Sequence, residues 1–380
     1  MRIASPAEAE APARAAPAET GRLTVDLAAL AANWRLLRAQ GGKADCAAVV
    51  KANGYGTGLE PAMRALLAAG CTTFFVADAA EGERARAVDG AATIYILDGL
   101  VTEAAARVAA ARLRPVLGSL AEIDEWAAFS RTAGRRLEAA IHFDTGMNRM
   151  GLAIGEAAEA AGRARDFAAT LVMSHFLCAQ WAGDPRNARQ IAAFEAARPL
   201  FPSVPASMAN SSGIFLPQRP HFDMTRPGYA LYGGNPLCGA PNPMRPVVRL
   251  QARILAARDI VAGESVGYDA AWVATRPTRI ATIGAGYADG LPVSASGGPG
   301  KPPGEAIVGG VRCPFVGRVS MDFVVLDVTE APPAAARRGE WVELLGETIG
   351  VDELAKRADT IGYEILTRLG ARYAWRYVGG

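Results

Sequence analysis

The chain reads as α/β: a (β/α)8 TIM-like barrel followed by a β-rich C-terminal domain. Two patterns and one absence carry that reading. From about residue 22 to 235, short β-rich runs alternate with amphipathic helical stretches, about eight strand–helix units in all. Near residue 236 the texture changes, with Pro236, Pro241, Pro243 and Pro246 close together and short β-like runs beyond them. No GxGxxG opens a strand–helix turn, as an open doubly wound sheet would use to cradle a dinucleotide.

In chain order, residues 1–20 are mostly Ala, Pro and Glu and are expected to form a flexible tail. They lack the continuous apolar stretch of a secretory leader. The barrel is assigned to 21–240. Its β-rich runs are 46–50, 72–77, 93–97, 114–118, 138–143, 170–175, 204–208 and 222–225. Between most of them, stretches such as 26–39, 60–69, 120–132 and 155–167 space their apolar residues at helical intervals. The β-rich domain is assigned to 241–380, with runs at 247–257, 279–283, 306–308, 322–328 and 341–345. A Gly/Pro loop, 296–304, interrupts these runs, and 351–369 turns helical again.

The composition excludes several classes. With 380 residues, 51% hydrophobic and 21% charged, the chain can bury one large core and a smaller one. A net charge of +2, spread along the chain, gives neither a basic nucleic-acid stripe nor a polybasic membrane anchor. No apolar run is long enough to span a bilayer, so neither nucleic acid nor membrane is expected as a partner. Five dispersed cysteines without a CxxC pair read as reduced thiols of a cytoplasmic protein. His142, His175 and His221 lie far apart and form no metal-ligand pattern, so no metal is expected.

Barrel enzymes place their chemistry at the C-terminal ends of strands. The first strand ends in Lys51, followed by Ala52-Asn53-Gly54-Tyr55-Gly56-Thr57-Gly58. Desolvation pushes a strand-end ammonium toward the neutral amine, a nucleophile that forms a Schiff base with a carbonyl. The glycine-rich turn behind it is expected to offer free backbone N–H groups and a phenol to an anion. An aldehyde that carries a phosphate would use both features, and pyridoxal phosphate is such a molecule. A lysine that merely snorkels to solvent is the plain alternative.

Other strands end in groups of the same kind. The fifth runs into Asp144-Thr145-Gly146-Met147-Asn148-Arg149, the sixth ends at His175, the seventh opens into Asn210-Ser211, and the eighth into Arg226-Pro227-Gly228-Tyr229. Arg149 could clamp a carboxylate or simply pair with Asp144. His175 could be an ordinary core histidine. Ser211 could cap a helix or bind phosphate. Arg226, inside an apolar strand end, needs an acceptor.

Taken together, these segments resemble the alanine racemase family. The carriers are Val49-Val50-Lys51-Ala52-Asn53-Gly54-Tyr55-Gly56, then 144–151 around Arg149, Ser174-His175-Phe176, Ala209-Asn210-Ser211 and 226–233. Beyond the barrel they are Val266-Gly267-Tyr268, 286–290 with Tyr287, 317–322 with Met321, and Tyr363-Glu364. The resemblance runs from about residue 22 to 378, in the family's order.

It implies interconversion of L- and D-alanine on pyridoxal 5'-phosphate by a cytoplasmic head-to-tail homodimer, a source of D-alanine for cell-wall precursors or a route for degrading it. Lys51 would hold the cofactor and serve the D face. Tyr268, from the partner chain, would serve the L face. Tyr55, Asn210, Ser211, Gly228, Tyr229 and Tyr363 would surround the cofactor, chiefly its phosphate. Arg226 would face the pyridine nitrogen and be held by His175. Arg149 (which would assist the substrate carboxylate or the cofactor phenolate oxygen), Met321 (through its N–H) and Tyr287 would receive the substrate.

The chain departs from the family at three places. His142 stands where many members carry a carboxylated lysine, Thr57 where a histidine is common, and the run 176–181 around Gln180 holds none of the acids common there. Three other readings remain: a broad-specificity racemase of the same fold, a barrel decarboxylase using the same cofactor, and a non-catalytic cofactor carrier. An arginine at the ring nitrogen and the long second domain weigh against the last two.

Overall fold

In the computed structural model, which describes residues 19–380, the barrel is closed around its first strand. That strand is split into Asp45–Cys46 and Ala48–Val49, and the two halves pair on opposite sides. The first half lies parallel to Met224–Thr225 and the second parallel to Thr73–Val76. Ala47 N–H donates to Thr225 O at 3.0 Å and Val50 N–H to Phe75 O at 2.8 Å, which closes the ring of hydrogen bonds. The remaining parallel strands are Thr93–Ile96, Arg114–Leu117, Glu138–Asp144, Ala168–Met173 and Ala206–Ser207. Their aliphatic and aromatic runs are buried on both faces, as a helix-wrapped barrel requires.

The helices follow their capping signals. Asp26 caps Leu27–Gly41 by accepting from Ala29 N–H, Asp78 caps Ala79–Val88, and Ser119 caps Leu120–Thr132. The stretch predicted as one helix over 155–167 is instead three short turns, 3-10, α and 3-10 in sequence. It is Ala/Gly-rich, with Gly162 near its end and little apolar surface to fix a longer helix. After the last two barrel strands only 3-10 turns follow, Gly213–Phe215 and Tyr229–Tyr232.

The second sheet is mostly antiparallel and built on the long strand Val248–Ile260. Three of its strands have no counterpart in the sequence reading: Gly21–Asp26, Val311–Pro314 and Ala374–Val378. Gly21–Asp26, at the head of the span assigned to the barrel, lies between Val248–Ile260 and the parallel Ala374–Val378. Of the expected tail, 1–18 lie outside the described residues. Glu19 is tied down, its carboxylate joining Arg22 and Arg376. The helical end splits into Val351–Arg357 and Gly362–Thr367, which bring Asp352 and Tyr363 to the barrel mouth. No helix among the described residues is long and apolar enough to cross a membrane.

Candidate active site

At the C-terminal mouth of the barrel lies a cavity of about 550 Å³. Its walls bring together Lys51, Tyr55, Arg149, His175, Asn210, Ser211, Arg226, Gly228, Tyr229 and Tyr363. Segments far apart in the chain thus converge on one volume, of the size ordinary for a small-ligand site.

Lys51 sits where the first strand stops. Burial, and then the cation of Arg149, lower its ammonium pKa, while Asp98 and Glu81 oppose the shift. The next residues do not form an ordinary helix. Ala52, Asn53, Gly54, Tyr55 and Gly56 all have positive φ, a left-handed run of five. Only glycine adopts this conformation freely. The run is propped from outside: Glu81 accepts from Asn53 N–H at 2.7 Å and from Ala77 N–H at 3.0 Å. Thr57, at a position where the family often has histidine, is buried and donates to Gly54 O at 2.6 Å.

Most N–H groups of this turn, expected to be free for an anion, are already used. Gly54, Gly56, Thr57 and Gly58 N–H donate to Val50, Ala52, Gly54 and Asn53 carbonyls within the turn, and Asn53 N–H goes to Glu81. The segment contributes Lys51 and the phenol of Tyr55. Tyr55 stacks on Tyr232 with ring centroids 4.7 Å apart. A Cβ at Gly228 would lie 2.2 Å from the Tyr55 phenol oxygen, so only glycine leaves room for it there.

The anion cradle lies across the barrel. Ser211 Oγ accepts from Gly228 N–H at 3.0 Å and from Ala230 N–H at 3.2 Å, so its hydroxyl proton remains to donate. The capping role considered for Ser211 belongs to Asn210, which accepts from Gly213 N–H at 2.9 Å. Tyr229 N–H stands at the first position of its turn and has no acceptor within it.

Arg226 is 3% exposed and has no carboxylate partner among the described residues. Burial lowers its pKa to about 9. His175 was expected to hold it, but the guanidinium donates to Ser207 Oγ and, at 2.5 Å, to Ser174 O. It also lies 5.8 Å from the Phe75 ring centre. A serine inside a strand gives little sequence signal for such a role, and Ser207 was missed. Burial, then the cations of Arg226 and Arg149, keep His175 neutral.

Arg149 does not pair with Asp144. The Asp144 carboxylate accepts instead from Gly146, Met147 and Asn148 N–H, each at 2.8 Å. Gln190, also missed, anchors this loop by donating to Thr145 Oγ1 at 3.1 Å and His175 O at 3.0 Å.

Three predicted residues are not in this cavity. Tyr268, Tyr287 and Met321 lie in the second domain, 70%, 44% and 52% exposed. They sit on neighbouring loops, with Tyr287 N–H donating to Ser320 O and Ala288 N–H to Met321 O, both at 3.0 Å.

The residues present fit a phosphorylated aldehyde. An amine whose pKa is lowered suits the carbonyl, a spare hydroxyl proton and an unused N–H suit the phosphate, and a guanidinium with no carboxylate partner among the described residues suits an aromatic nitrogen. No group of three or more acidic, cysteine or histidine ligands for a metal occurs among the described residues.

Comparison with known proteins agrees with this chemistry. The family described as alanine racemase, N-terminal domain, matches residues 25–236, and alanine racemase, C-terminal domain, matches 247–377. The chain is 55% identical over 361 residues to an alanine racemase of Methylobacterium nodulans, covering 94% of this chain and 96% of that one. It is 48% identical over 363 residues to a catabolic alanine racemase of Mesorhizobium japonicum, covering 94% and 93% respectively. Its fold matches the crystal structure of alanine racemase from Bartonella henselae with covalently bound pyridoxal phosphate. That match has a TM-score of 0.89 and 36% identity, covering 94% of this chain and 99% of that one.

Proposed function

The chain belongs to the alanine racemase family, and from that premise we propose how its own residues interconvert L- and D-alanine. It is an isomerase that uses pyridoxal 5'-phosphate. When bound, that cofactor ties up an amine through its aldehyde and spreads the electron pair left by the departing α-proton.

The protein must remove a proton from one face of the α-carbon and return one to the other, which calls for two acid/base groups on opposite faces. Lys51 Nζ holds the cofactor and, once free, takes or returns the proton on the D face. Its lowered pKa supports this role. Tyr268 Oη of a second copy acts on the L face. Ser211 Oγ–H, Tyr229 N–H and the Tyr55 and Tyr363 phenols would hold the phosphate, with Gly228 leaving room for the Tyr55 phenol and Asn210 shaping the wall. Arg226, a poor proton donor even at about 9, leaves the ring nitrogen unprotonated. This limits electron withdrawal and so restrains side reactions. Arg149, Met321 N–H and Tyr287 receive the substrate carboxylate and close the site.

The assembly we infer is a head-to-tail homodimer. The support is that Tyr268, Tyr287 and Met321 lie outside their own chain's cavity, on exposed neighbouring loops beside Phe323. A cytoplasmic setting fits five free cysteines. One site runs the reaction in both directions, so the activity serves either the supply of D-alanine for the cell wall or its degradation.

The single observation that carries the reading is Lys51, its ammonium pKa lowered by burial, in one cavity with two arginines, 149 and 226, that form no salt bridge among the described residues. The test is the absorbance spectrum of the purified protein before and after borohydride. A visible-region band that borohydride bleaches, and that Lys51→Ala lacks, is expected. Its absence from the unmutated protein would overturn the cofactor role of Lys51.

A further inference from the structure

Tyr229 lines the cavity, and its hydroxyl is engaged by the second domain. The phenol donates to Asp352 Oδ1 at 2.7 Å, across the junction between the barrel and the first of the two C-terminal helices. The other oxygen, Asp352 Oδ2, accepts from Asn235 N–H at 2.9 Å, in the segment that leaves the barrel. One carboxylate thus joins two barrel-side points to the second domain. Burial, and then Asp352, push the Tyr229 phenol well above its usual pKa, so it stays a donor.

Tyr363, on the next helix, lies flat on the far side of this ring. The two centroids are 4.0 Å apart and the rings 12° from parallel. Tyr363 is also tilted against Tyr55 at 6.1 Å. Its own phenol has no hydrogen-bond partner among the described residues, so ring packing alone sets where that hydroxyl points. A stacked pair fixes ring plane and offset but slides easily; a hydrogen bond at one ring's tip stops the sliding.

We propose that Asp352 is a positioning residue for cofactor retention: through the Tyr229 hydroxyl it locks the ring on which Tyr363 stacks, and so aims the Tyr363 phenol at the cofactor phosphate. The second domain thereby takes part in gripping the cofactor held by its own chain's barrel. This rests on the reading that Tyr363 faces the phosphate.

The test measures the dissociation constant of pyridoxal 5'-phosphate by titrating apoprotein variants, together with the ability of inorganic phosphate to compete. Tyr363→Phe sets the reference loss. Tyr229→Phe, which keeps the stack but drops the hydrogen bond, and Asp352→Ala are each expected to weaken binding about tenfold. The double variant is expected to be no weaker than either single one. Asp352→Asn, which keeps an acceptor for the phenol, is expected to recover most of the loss. Phosphate competition should weaken in parallel. If Tyr229→Phe and Asp352→Ala bind within about twofold of the parent while Tyr363→Phe does not, the lock is overturned and the phosphate role of Tyr363 stands. If Tyr363→Phe itself binds normally, the phosphate role falls and the proposal falls with it. Additive losses in the double variant also overturn it. Should Asp352→Ala not fold, Tyr229→Phe and Asp352→Asn decide the matter.

Discussion

His142 occupies a place where a charged lysine derivative is common in the family, and it answers the loss of charge by being neutral. Burial first, and then the cation of Arg226, hold its imidazole down to about 4. An unfolded chain holds the same group near 6.5, so protons bind the unfolded state more strongly between these values. The native state therefore keeps its full stability above about pH 6.5 and loses it as pH falls toward 4. By pH 5 the loss is roughly 2 kcal/mol from this residue, and His175 acts with the same sign. Urea midpoints at pH 7.5 and pH 5 measure it, and His142→Gln is expected to flatten the difference to the His175 share. An unchanged slope in that variant would refute the assignment. At the same scale, Tyr268→Phe is expected to lower turnover about 10²- to 10⁴-fold from either enantiomer, read as initial rates with L- and D-alanine. Intact rates in both directions would remove Tyr268 from the chemistry.

The most constrained element is the left-handed run after Lys51. At Gly56 φ is +80°, and a Cβ there would lie 2.1 Å from Leu366 O, on the helix that carries Tyr363. Gly134 also has positive φ, +64°, but faces open space. Gly134→Ala should therefore cost about 1 kcal/mol, the backbone penalty alone, and Gly56→Ala at least twice about that amount. Urea denaturation compares the two, and equal losses would show that the helix yields freely. The strands were legible because their aliphatic runs are dense and bounded by turn residues. Lys51, Tyr55, Ser211 and Arg226 were legible because reactive groups stood at the ends of those runs. The left-handed geometry was not, because Ala52 and Asn53 carry no mark of it; Glu81, which props it, lies 28 residues away. Ser207, Gln190 and Asp352 were illegible for the same reason, since their partners are set by barrel closure and domain contact. The strands Gly21–Asp26 and Ala374–Val378 find each other only across the whole chain, which no local window reports.

For the whole molecule, the proposed sharing of the site between copies makes a sharper prediction than either variant alone. Lys51→Ala and Tyr268→Phe proteins are each inactive or nearly so if both residues are needed. Mixed under conditions that exchange subunits, half of the dimers would be hybrids, and each hybrid would hold one intact site and one doubly altered site. About a quarter of the parent activity should return. No recovery, with exchange verified by differently tagged chains, would place Tyr268 outside its partner's chemistry.

The pairing of Gly21–Asp26 with Ala374–Val378 also bears on how the protein is made. The first of these strands has its parallel neighbour beyond the whole barrel in the sequence, so one of its edges stays uncovered while the intervening chain is made. The barrel can close in the meantime, enclosed between the two ends of an unfinished sheet. Birth order and assembly order are thus opposed, and arrival of the strand Ala374–Val378, rather than closure of the cylinder, is the event that completes this sheet.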